Sequence, residues 1–182
     1  MGSFYLTSIF VIILYMLILG IDPGIATTGY GILKVSKDTK YEAIDWGLIE
    51  TDKESEISDR FIGIFKQLSK IIKTHNPDVF AIEKIFFATN AKTAIGVGQA
   101  QGVMLYCAAR SKIDIYEYAP GTIKKIVSGN GRSDKKEMQK AIRKILGNKV
   151  KSAKKKRTHF DNAADALAVA LCHTMVVNSK KE

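Results

Sequence analysis

Carboxylates stand at the ends or flanks of the most apolar segments of this chain: Asp22 in ILGIDPG, Glu83 in DVFAIEKIFF, and Asp161 and Asp165 in FDNAADALAVAL. An unpaired negative charge beside an apolar core is costly. The fold must therefore turn each one to water or gather them around something positive. A divalent cation meets the second condition. Oxygen ligands with no Cys or His cluster suit Mg²⁺ or Mn²⁺ better than zinc, and paired ions of this kind assist in-line displacement at phosphorus. The pattern predicts a metal-dependent phosphoryl-transfer enzyme. Each signal is ordinary alone, since Asp-Pro-Gly is common turn chemistry and a Glu commonly ends an exposed strand. Their co-occurrence carries the inference.

Hydrophobic periodicity places these groups on elements. Residues 17–22 predict a short strand stopped by Pro23-Gly24, residues 29–35 a returning strand, and residues 40–51 a third strand with imperfect alternation. The period then changes to that of a helix: Ile57, Phe61, Ile64, Phe65, Leu68, Ile71 and Ile72 share one face, introduced by Ser55 or Ser58 as cap and ended near Asn76-Pro77. Residues 78–83 predict an apolar strand ending in Glu83. An Ala-, Gly- and Gln-rich helix follows over 90–110, then a strand at 113–118 and basic helices at 122–127 and 134–146. The last helix is predicted over 161–176, burying Phe160, Ala164, Leu167, Ala168, Leu171 and Met175. Asp161 and Asp165 lie one turn apart on its flank, and Asp161 reads equally as a helix cap. The order describes one α/β domain with a mixed sheet.

Charge is concentrated. The net charge is +10, yet between Pro120 and Arg157 fourteen Lys and Arg stand against two acidic residues. Such a block attracts a phosphate backbone, unlike a merely solvated lysine face. Cys107 and Cys172 fall inside apolar helical patterns with no metal-ligand spacing, so they predict reduced core thiols and agree with a cytoplasmic protein. Residues 4–21 are almost wholly apolar, long enough to suggest a membrane span. However, no charge precedes Asp22 to set an orientation, and residues 17–21 are needed as the strand presenting Asp22. No membrane association is expected. Residues 1–15 read as an upstream extension, with Met16 as a plausible native start, and residues 16–178 as the catalytic domain.

The segments LGIDPG with TGYG, DVFAIEKIF, NAKTAIGVGQAQG and AADALAVALCH stand in the order and spacing of the RuvC crossover-junction endodeoxyribonucleases. The chain resembles that family from residue 16 to about 173. The resemblance implies a ribonuclease-H-like fold, a mixed five-stranded sheet with helices on both faces. It implies a homodimer that resolves four-way (Holliday) DNA junctions by paired symmetric nicks in recombination and repair, alongside branch-migration proteins of the RuvA and RuvB type. It further implies two Mg²⁺ ions per subunit, with Mn²⁺ as the alternative, held by Asp22, Glu83 and the last helix. Phe86 would stack on an unpaired base, Lys124 and Lys135 would bind the DNA backbone, and Arg132 and Lys136 would add charge around the glycine loop.

One departure matters. The family usually places an Asp or His three residues before the Asp matched by Asp165, and Asn162 stands there instead. Positions three and four residues back both lie on the same helix face, so Asp161 and Asn162 are both candidates for the fourth ligand. Gln101 stands where the family often has Arg, a change expected to weaken one phosphate or dimer contact. His159 and His173 read as packing or capping groups. Two other functions compete: an actin-like ATP phosphotransferase, whose second phosphate loop is not visible here, and a non-catalytic junction-binding protein, suggested by Asn162.

Overall fold

The protein is described by a computed structural model covering residues 15–85, 91–147 and 157–179, with the side chains of 91–93 and 157–161 outside the description. Residues 1–14, the segment holding Phe86, and residues 148–156 of the basic block fall outside it. The described elements run β1 (Tyr15–Asp22), β2 (Thr27–Ser36), β3 (Tyr41–Glu50), α1 (Ile57–His75), β4 (Val79–Glu83), α2 (Ala91–Arg110), β5 (Asp114–Tyr118), α3 (Pro120–Ser128), α4 (Lys135–Leu146) and α5 (Arg157–Asn178).

The five strands form one sheet in the order β3-β2-β1-β4-β5. β1 pairs antiparallel with β2 and parallel with β4, and β4 pairs parallel with β5, so the sheet is mixed as expected. β1 is central and covered on both faces. That is why its sequence is a continuous apolar run instead of an alternating one. The apolar stretch that resembled a membrane span thus contributes its second half to the middle of the sheet. Among the described residues no helix is long and apolar enough to cross a membrane. The imperfect alternation of β3 has a physical cause as well. Ile32 pairs with Asp45 but Leu33 with Ala43, leaving Ile44 as the extra, exposed residue of a bulge.

Two cores flank the sheet. Leu19, Ile21, Phe80 and Ile82 meet Ile64, Leu68 and Ile72 of α1 and Ala100, Met104, Cys107 and Ala108 of α2. On the other face Ile18, Leu33, Val79 and Ala81 meet α5, which is covered in turn by Ile123, Val127, Met138 and Ile142 of α3 and α4. Both cysteines are buried and free, as their sequence context predicts.

Several local expectations are corrected. Neither Ser55 nor Ser58 caps α1, whose N-cap position is Glu56 with no side-chain cap bond. Asp134 is not the first residue of α4 but its N-cap. It accepts from Glu137 N at 2.8 Å, while its own N–H donates to the Glu137 carboxylate at 2.9 Å, a reciprocal capping box. α3 begins at Pro120, where a missing N–H costs nothing. α5 begins at Arg157, four residues earlier than predicted, so Asp161 lies inside the helix and is not its cap. The buried stripe of α5 is also too narrow a description, because every residue from Ala163 to Thr174 is buried except Asp165.

Candidate active site

Asp22 ends β1 and Glu83 ends β4, its parallel neighbour, so adjacent strands deliver both carboxylates to the same edge of the sheet. The loop after Asp22 is held rigid. Buried Thr28 donates its hydroxyl to the Gly24 carbonyl at 2.6 Å, and the Thr51 hydroxyl donates to the Ile25 carbonyl at 2.6 Å. A short polar turn is thereby fixed directly beyond the first carboxylate.

Glycines in β1 and β2 bring α5 to this edge. A Cβ added at Gly20 would collide with the Ala166 carbonyl oxygen and stand 2.9 Å from Ala170 N; one added at Gly31 would stand 2.7 Å from Leu167 Cδ2. At Gly29 it would collide with the Asn162 carbonyl oxygen and stand 3.4 Å from Asp22 Cβ. Gly29 is also the cross-strand partner of Asp22. The helix backbone therefore lies against the bare strand, and Asn162 and Asp165 come to the strand end that holds Asp22. Glycine is required here because no side chain fits between the two backbones.

The electrostatics show that the acids share surroundings. Burial is the largest cause pushing the Asp22 carboxyl from 3.8 up to about 7, with further increments from Asp165 and then Glu83, opposed by Lys135. Burial likewise pushes Glu83 from 4.5 up to about 7, with Asp165 adding to it and Lys124 opposing. Glu83 and Asp165 line a cleft of about 240 Å³ together with Lys124, Lys135, Ile123 and Met138. Lys135 Nζ lies 3.6 Å from Asp165 Oδ2. Asp165 thus raises both Asp22 and Glu83, and Glu83 raises Asp22, so each of these two buried carboxyls feels negative charge from its neighbours that a dication would offset. Among the described residues, however, no three acidic, imidazole or thiol groups are close enough to hold a single ion. Glu83 and Asp165 line the cleft and Asp22 is coupled to both electrostatically, without the three closing on a common point.

The remaining site expectations divide. Lys124 and Lys135 line the cleft, while Arg132 and Lys136 are exposed on the loop and helix that follow α3. Asn162 is half-buried beside Gly29. The side chains of Asp161 and His159 and the whole of Phe86 lie outside the described residues. His173 is a buried packing group bonded to Tyr118, as expected. Gln101 is turned inward. It is only 9% exposed and donates to the Glu83 carbonyl at 3.3 Å and to Glu117 Oε2 at 3.4 Å. Its side chain faces the ends of β4 and β5.

A sequence profile described as crossover junction endodeoxyribonuclease RuvC matches residues 18–173. The chain belongs to the RuvC family. The RuvC of Caldicellulosiruptor saccharolyticus is 42% identical over 164 residues, covering 90% of this chain and 95% of that one. The RuvC of Petrotoga mobilis is 44% identical over 158 residues, covering 87% and 93%. The structure of Thermus thermophilus RuvC in complex with Holliday junction substrate superposes with a TM-score of 0.80 at 29% identity, covering 91% of this chain and 96% of that one. The ribonuclease-H-like architecture read from the motifs is therefore the RuvC fold, with the acidic edge and basic cleft described above built on it.

Proposed function

We propose that this chain is a metal-dependent endonuclease that cuts four-way DNA junctions by paired symmetric nicks during recombination and repair. The observation that supports this reading is the electrostatic coupling of Asp22 and Glu83 to Asp165, with Lys124 and Lys135 lining the same cleft as Glu83 and Asp165, in a RuvC chain. RuvC nucleases use divalent metal ions. Asp22, Glu83 and Asp165 are the proposed ligands, joined by Asp161 or Asn162, for two Mg²⁺ per subunit or Mn²⁺ in their place. When bound, such ions supply positive charge to the scissile phosphodiester and to the attacking water. Asp22 and Glu83 must be deprotonated to act as ligands, and Asp165 must exchange its contact with Lys135 for the ion. Lys124 and Lys135 then hold the phosphate backbone at the cleft, with Arg132 and Lys136 extending the basic track and Phe86 stacking on an unpaired base.

Symmetric nicking needs two active sites, and the outer face of α2 suits a second copy of the chain. Ile95 is 64% exposed and Tyr106 57%, and between them a methyl group added at Gly98 or Gly102 would touch nothing within 4 Å. Bare backbone between two apolar anchors permits close approach of a symmetry-related helix. The same reading takes residues 16–178 as the nuclease unit, residues 1–15 as an extension before it, proteins of the RuvA and RuvB type as partners, and the cytoplasm as its location.

The test is cleavage of a synthetic four-way junction against linear duplex, with Mg²⁺ present or chelated. Junction-selective, Mg²⁺-dependent cutting is expected, abolished in Asp22→Asn while junction binding persists. Binding without cutting in the unaltered protein would instead support a non-catalytic junction-binding role, and normal cutting by Asp22→Asn would refute the metal assignment.

A further inference from the structure

Glu83 is the last residue of β4, where the ladder ends and a strand would ordinarily fray. Here it is tied from both faces of the sheet. From the α2 side, Gln101 donates to the Glu83 carbonyl and reaches Glu117 Oε2 on β5 with the same amide nitrogen. The buried face of α2 is otherwise apolar, formed by Ala100, Met104, Cys107 and Ala108, so Gln101 is its polar exception. Within the sheet, the Lys84 N–H donates to the Tyr118 carbonyl at 2.8 Å, directly after the Glu83–Tyr118 register pair, and the Tyr118 side chain continues to the α5 side. The Tyr118 hydroxyl in turn lies 2.8 Å from His173 Nδ1, and the Tyr116 ring packs on the same imidazole with centroids 4.5 Å apart. Burial lowers the pKa of His173 and, with lesser effects from Cys172 and Tyr116, raises Tyr118 to about 12. The imidazole is therefore neutral, and its Nδ1 and the Tyr118 hydroxyl share one hydrogen bond whose donor is set by the tautomer.

We infer that Gln101 and the Tyr118–His173 pair are positioning residues that lock the end of β4, and with it the Glu83 carboxylate, against Asp165 of α5. Apolar packing alone fixes a strand end loosely along its own axis, whereas these bonds are directional and each has one satisfying geometry. Tyr118 ties β5, the ladder partner of the Glu83 strand, to α5, the helix that bears Asp165, and Gln101 ties the end of β4 to α2. None of the three side chains needs to touch DNA or an ion. The inference rests on the proposed role of Glu83 as a ligand.

The experiment uses the full chain with Gln101→Met, Gln101→Lys and Tyr118→Phe. Mn²⁺ binding to the DNA-free protein is read by electron paramagnetic resonance of free Mn²⁺, and single-turnover junction cleavage is titrated with Mg²⁺. Gln101→Met and Tyr118→Phe each should weaken Mn²⁺ binding and raise the half-maximal Mg²⁺ concentration by about three- to tenfold, the scale of one hydrogen bond. Junction affinity in EDTA should not change. Gln101→Lys, which retains a donor for both acceptors, should stay within about twofold of the unaltered protein. Unchanged Mn²⁺ affinity in Gln101→Met and Tyr118→Phe would overturn the inference, as would a lowered Tm with an unmoved Mg²⁺ midpoint, or equal damage in Gln101→Lys and Gln101→Met. An unaltered protein that binds Mn²⁺ but fails to cut refutes the proposed function, while the Mn²⁺ arm still decides the clamp; one that binds no Mn²⁺ overturns both.

Discussion

Gly29→Ala tests how closely the site depends on the seating of α5. The added methyl would overlap the Asn162 carbonyl oxygen, stand 2.8 Å from its carbon, and touch Asp22 Cβ at 3.4 Å. Ordinary carbon contacts lie near 3.5 to 4 Å, so the amino-terminal part of α5 must recede by roughly 1 Å. Overpacking of this kind costs about 1 to 3 kcal/mol of stability. The effect on activity should be larger, because Asp165 moves with the helix while Asp22 stays on the strand. A misplacement of about 1 Å costs on the order of 10²-fold in rate. The assay is single-turnover cleavage of a four-way junction at saturating Mg²⁺, beside the thermal unfolding midpoint. Gly63→Ala in α1 is the control. Its methyl would meet only Thr51 Cγ2 at 3.6 Å, and helix propensity should raise stability by about 0.4 to 1 kcal/mol with cleavage unchanged. A folded Gly29→Ala that cuts like the unaltered protein would refute the argument that glycine sets the distance between α5 and the site.

Two further outcomes follow from charge. Asp22 and Glu83 are raised from 3.8 and 4.5 to about 7, so the metal-free native state holds protons that the unfolded chain has released. The stability this contributes is present below about pH 4 and is lost as pH rises toward 7. Thermal unfolding in EDTA should show that decline, Mg²⁺ should reverse it at neutral pH, and Asp22→Asn should flatten it; a pH response identical in Asp22→Asn would contradict the assignment. Lys124→Ala and Lys135→Ala each should weaken junction binding and reduce the slope of log affinity against log salt by about one phosphate contact, and unchanged slopes would refute their role.

Much of this was legible in the chain because a few residues are informative about both local structure and chemistry. The apolar run into Asp22 marks a central strand, the run into Glu83 marks its parallel neighbour, and the Ala- and Leu-rich segment around Asp165 marks a helix with little exposed surface. What was hidden depends on contacts between distant segments. Ser55 and Ser58 carried the side-chain chemistry of a cap, yet α1 starts at Ile57 after Glu56 with no cap bond. Arg157 gave no signal of a helix start, so α5 extends farther toward its amino terminus than the pattern suggested. The inward role of Gln101 had one available sign: it shares a helical face with Met104 and Ala108, where a polar side chain must find a partner. The glycines of β1 and β2 looked like turn or strand punctuation. Only the fold shows that they seat α5 against the carboxylates.

The most direct measurement is anomalous diffraction from crystals of the protein soaked in Mn²⁺. Peaks bounded by the carboxylates of Asp22, Glu83 and Asp165, with Lys135 displaced from Asp165, are predicted. Manganese bound elsewhere, with these three side chains left apart, would contradict the account.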